Sequence, residues 1–97
     1  MGIPEIIDSH RDEIIGLAAQ HGTVKVRVFG SVAKGNATPD SDVDFLVEWD
    51  YERMTDWGSA ALYEQLEVML GRKVDIVSEK QLHSRVRERI LQESVAV

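Results

Sequence analysis

Val24-Lys25-Val26-Arg27-Val28-Phe29-Gly30-Ser31-Val32-Ala33-Lys34-Gly35 leads, after a polar loop, into Ser41-Asp42-Val43-Asp44-Phe45-Leu46-Val47. Val24, Val26 and Val28 alternate with Lys25 and Arg27, the period of a strand with one buried face. Gly30-Ser31 stops that strand and opens a short helical turn through Lys34, closed by Gly35-Asn36. Pro39-Asp40 marks 36–41 as loop. A second strand, Val43–Val47, sends Val43, Phe45 and Val47 toward the core. Asp42 and Asp44 then share the opposite face, roughly 7 Å apart at Cα by strand rise.

Around this unit, helical spacing of Ile3, Ile7, Ile14, Leu17 and Ala18 predicts a helix from about Pro4 to Gln20, stopped by Gly22. A second predicted helix, about Trp57–Leu70, carries Leu62, Leu66, Met69 and Leu70 on one stripe and ends at Gly71. Lys73–Val77 reads as a third strand. Ser78-Glu79-Lys80-Gln81 has the form of a capping box, opening a last helix with Leu82, Val86 and Ile90 as its core face. Strands alternating with helices give an α/β (α+β) fold: a small mixed sheet, three-stranded or slightly larger, flanked by helices. Its 97 residues suit one domain spanning the whole chain, 1–97.

Composition narrows the function. No run approaches the roughly 20 apolar residues of a membrane span, and the N-terminus lacks the basic-then-apolar form of a secretion signal. With no cysteine, disulfides and thiolate metal sites are excluded and a cytoplasmic setting is expected. His10, His21 and His83 are scattered, which disfavours zinc. A net charge of −6 argues against tracking a nucleic-acid backbone, which calls for a basic face.

The acids are the anomaly. Asp44 sits inside a strand, where aspartate is disfavoured, and Asp42 shares its face. Two acids without a neighbouring cation in sequence repel unless metal or protons intervene. Asp75 stands within Val74–Val77, where an unpaired buried carboxylate is costly. The residues alone leave Asp75 open between a salt bridge with Arg27 or Lys73 and a catalytic acid. Gly30-Ser31, between strand and helical turn, offers unpaired amides to an anion; Lys34, one turn on, is within reach of a triphosphate.

Gly30-Ser31, ten residues, Asp42-x-Asp44 and a later strand aspartate resemble the signature of the DNA polymerase beta-like nucleotidyltransferases. Phe29–Gly35, Ser41–Val47, Leu70-Gly71-Arg72-Lys73-Val74-Asp75-Ile76-Val77 and Arg87-Glu88-Arg89-Ile90 resemble the minimal nucleotidyltransferase (MNT) branch almost to the C-terminus. The resemblance implies the nucleotidyltransferase fold, with Asp42, Asp44 and Asp75 as catalytic acids and ligands of two magnesium ions. Gly30, Ser31, Lys34 and Ser41 then serve the nucleotide, with ATP as donor. Many relatives carry arginine directly after Gly-Ser and again two residues on; here those positions are Val32 and Lys34.

Members of this branch resemble antitoxins encoded beside a HEPN-domain toxin. The function implied is transfer of AMP from ATP to a tyrosine of that toxin, within a possible hetero-oligomer and with no direct nucleic-acid contact. Two alternatives stand beside it: neutralisation by binding with little or no catalysis, and adenylylation of a small hydroxylated molecule. Arg85 and Arg89, four apart on the last helix, read either as a solvated face balanced by Glu88 and Glu93 or as a contact for an acidic partner. Trp49, Tyr51 and Trp57 read as packing over a small core.

Overall fold

Four strands form one mixed sheet in the order β3-β2-β1-β4 in the protein, here a computed structural model describing residues 1–53 and 58–97. They are β1 (Thr23–Phe29), β2 (Val43–Trp49), β3 (Val74–Ser78) and β4 (Val95–Ala96). β1 runs antiparallel to β2 and to β4, with Val28 opposite Phe45 and Phe29 opposite Asp44. β2 and β3 are parallel, with Asp44 opposite Asp75. Parallel neighbours need a crossover. α4 (Gly58–Leu70) supplies it, burying Leu62 and Leu66.

One face of the sheet carries the core. Val28, Val43, Phe45 and Val47 are almost fully buried against Ile7, Ile14, Val32, Leu62 and Leu66. Strand alternation therefore turns Arg27, Phe29, Asp44, Leu46, Asp75 and Val77 to the opposite face. Among the described residues no helix is long and apolar enough to cross a membrane.

Several elements depart from the sequence expectation. The first helix is three pieces: α1 (Ile3–Ile6), a 3₁₀ turn at Asp8–His10, and α2 (Arg11–Gln20). Asp8 and Ser9 favour local hydrogen bonding over a helix interior, and the break lets Ile6, Ile7 and Ile14 all reach the core. α3 (Gly30–Lys34) is the anticipated short turn, closed by Gly35 at φ +80. Ser78 and Gln81 do form a capping box, but around the 3₁₀ turn Glu79–Gln81. The last helix, α5 (Ser84–Glu93), starts later, with the His83 ring accepting from the Arg85 amide. None of its residues is buried, so the expected core face of Val86 and Ile90 is not one. β4 was not anticipated. Trp57 lies outside the described residues; Trp49 packs against the core, whereas Tyr51 is exposed beneath the Lys80 ammonium.

Candidate active site

Asp44 is the hub of the polar face. Strand pairing sets it opposite Phe29 on one side and Asp75 on the other. In-register neighbours project to one face about 4.8 Å apart, so the Asp44 and Asp75 carboxylates are side by side. Asp42, one residue before β2, is exposed, as is Asp75, while Asp44 is half-buried. The Asp44 carboxyl is raised above its ordinary range, first by burial, then by the negative charges of Asp75 and Asp42. Asp44 thus feels the charge of both other acids. Among the described residues, no ion pair engages any of them.

The salt bridge considered for Asp75 does not form. Arg27 Nε donates to the Ser94 hydroxyl (2.6 Å) and a terminal guanidinium nitrogen to the Ser94 carbonyl (3.1 Å). Asp75 instead accepts from a neutral donor, the Tyr63 hydroxyl of α4, at 3.2 Å.

Gly30 binds the phosphate-type turn to the acids by shape. Its φ of +70 lies in the left-handed region, and a Cβ there would collide with Asp44 Oδ2 and sit 3.3 Å from its Cγ. Only glycine meets both demands. The first amides of α3, beginning at Gly30 and Ser31, lack acceptors within the helix. Ser31, half-buried, follows directly. Lys34 is engaged by Glu93 of α5 at 3.8 Å. Ser41 braces the loop before Asp42: its hydroxyl accepts from the Thr38 amide at 2.8 Å.

Two further residues shape the site. Arg72 donates to the carbonyls of Thr38 and Ser41, each at 3.1 Å, and so ties the loop carrying Asp42 to the start of β3. Arg72→Ala is expected to cost about 1 kcal/mol of stability, measured by thermal melting. Tyr63 was not singled out from sequence. Besides donating to Asp75, its hydroxyl accepts from the Ile76 amide (2.9 Å) and lies 3.1 Å from the Ile76 carbonyl, on the open edge of β3. Tyr63→Phe is expected to lower unfolding free energy by about 1–2 kcal/mol with an unchanged urea m-value.

An all-oxygen donor set with mutually repelling carboxylates fits a hard divalent cation such as magnesium. Among the described residues no three such side chains stand in finished metal-holding geometry. Beyond Asp75 a groove of about 420 Å³ opens between Trp49, Tyr63, Ile76 and Gln81.

Comparison with known proteins gives a consistent picture. A family model for the nucleotidyltransferase domain matches residues 11–97. The protein adenylyltransferase MntA of Thermococcus cleftensis is 37% identical over 95 residues, which cover 98% of this chain and 92% of that protein. A solved structure provisionally described as a minimal nucleotidyltransferase is 45% identical with a TM-score of 0.86, over 100% of this chain and 97% of that one. A toxin–antitoxin crystal structure with AMP-PNP is 20% identical with a TM-score of 0.72, over 88% of this chain and 69% of that one, a likeness of fold.

Proposed function

The chain belongs to the nucleotidyltransferase family, in its minimal branch, and from this premise we propose that it moves AMP from ATP to a tyrosine hydroxyl of a HEPN-type toxin, as that toxin's antitoxin. The observation that carries the reading is the contact of Gly30 with Asp44, itself in register with Asp75. It sets an anion-accepting turn against a pair of acids. The adenylyltransferase name of the Thermococcus cleftensis relative supports a protein acceptor. The toxin–antitoxin pairing is supported by a neighbour alike in fold.

In the proposed reaction the acceptor oxygen bonds to the α-phosphorus, the bond from that phosphorus to the β-bridging oxygen breaks, and pyrophosphate leaves. Gly30 and Ser31 amides hold the phosphates, with Lys34 and Ser41 at the margins of that site. Asp42, Asp44 and Asp75 are the residues to hold magnesium, which when bound offsets phosphate charge and activates the nucleophile. In this reading Asp75 takes the hydroxyl proton. Little beyond positioning and charge is required.

The test is incubation of the purified pair with labelled ATP. Label should enter the toxin and disappear with Asp42→Asn; label persisting in that variant rejects the catalytic assignment. A second reading, neutralisation by binding alone, is favoured by Lys34 being paired with Glu93. An Asp42→Asn/Asp44→Asn variant that still protects cells selects it.

A further inference from the structure

Asp75 is exposed and has no ion pair among the described residues, yet its carboxylate is held. The Tyr63 hydroxyl donates to its Oδ1 at 3.2 Å. The same hydroxyl accepts from the Ile76 amide at 2.9 Å and stands 3.1 Å from the Ile76 carbonyl. Ile76 directly follows Asp75 on β3, so the phenol is anchored to the strand whose acid it touches.

The phenol reaches that place from a fixed base. Tyr63 lies on α4 between Leu62 and Leu66, both almost fully buried, and is itself packed against the core. Groups carried on a packed helix keep their direction better than groups on a loop. A phenol has one proton and two lone pairs. The Ile76 amide occupies one lone pair, and the proton has two acceptors in reach. The carboxylate, being charged, is the stronger of them. The carbonyl remains to receive the proton when the carboxylate turns to a cation, so the phenol is never left without a partner.

That the donor is neutral matters. An arginine or lysine beside Asp75 would offset the charge that a hard cation needs. A phenol fixes direction and leaves the charge in place. β3 is the outer strand of the sheet, with β2 and Asp44 on its inner side, and the phenol stands on its open edge.

We propose that Tyr63 is a positioning residue for Asp75: its hydroxyl tethers Oδ1 at the outer margin of β3, so that the carboxylate is presented to a divalent cation in one direction with its charge intact. This rests on the metal-holding role proposed for Asp75 and adds what sets that side chain. Outer partners of metal-holding groups ordinarily contribute about ten- to hundredfold to metal affinity.

The test is titration with Mn²⁺, followed by loss of the free-ion electron paramagnetic resonance signal, on dilute parent chain, Tyr63→Phe and Leu66→Val. Leu66→Val loses core packing on the same helix without touching the Asp75 contact, which controls for lost stability. Melting curves set a temperature at which all three are folded. Tyr63→Phe should bind Mn²⁺ at least about tenfold more weakly than the parent, while Leu66→Val binds as the parent does. Equal affinity in Tyr63→Phe overturns this inference alone. So does tighter binding, which makes the phenol a competitor of the cation, and so does an equal loss in Leu66→Val, which leaves Tyr63 a role in the fold only. A parent that binds no Mn²⁺ overturns the metal-holding role of the acids and this inference together.

Discussion

Asp44→Asn should abolish nucleotidyl transfer, by at least about 10³-fold, which corresponds to about 4 kcal/mol in the barrier, and yet leave the protein more stable. The substitution keeps the size of the side chain and removes its charge. Asp44 is raised in the folded state by burial and by the charges of Asp75 and Asp42. A carboxyl raised on folding supports the fold while protonated, below its ordinary value of 3.8, and that support is lost as pH rises through the folded-state value. Near neutral pH the wild type carries the repulsion and the asparagine variant does not.

Thermal melting without divalent cation should therefore place Asp44→Asn a few degrees above wild type at pH 7. The gap should close as pH falls below the ordinary carboxylate range. Adding magnesium should raise the wild type and barely move the variant. A variant less stable at pH 7 would mean that the three acids are not in electrostatic conflict.

Gly30→Ala is expected to be the most damaging substitution for the fold and the site together. Left-handed backbone costs a non-glycine residue about 1–2 kcal/mol, and the new methyl group is driven into the Asp44 carboxylate, adding about 1–3 kcal/mol of overpacking. That is a large part of the 5–15 kcal/mol typical of a small domain. The steric share is separable by a double-mutant cycle. Paired with Asp44→Ala, the glycine substitution should cost only its backbone share, measured by urea unfolding. Additive losses would mean that the two residues do not touch.

The parts legible from sequence are those where local chemistry and tertiary role coincide. Alternating valines and the Gly30-Ser31 stop define β1 and its turn because a half-buried strand leaves a period of two. Asp75 stands out because an acid in an apolar run is anomalous wherever the strand goes. Tyr63 left no such signal, since its value comes from α4 lying against β3, 13 residues on. β4 is two residues long and too short for any period. For α5 the periodicity of Val86 and Ile90 correctly reported an apolar stripe, but periodicity does not say what covers it.

Tyr63 has one more consequence, concerning what the sheet does not do. An open strand margin is a template on which another chain can add itself. Here the phenol oxygen accepts from the outward amide of Ile76 and stands over its carbonyl, and the far margin, β4, offers only Val95 and Ala96. Concentrated solutions of Tyr63→Phe should accordingly show ribbon-like stacking, read as thioflavin fluorescence or rising light scattering, where the parent stays clear. A side chain next to the reactive acids thus also guards the molecule against polymerising with itself.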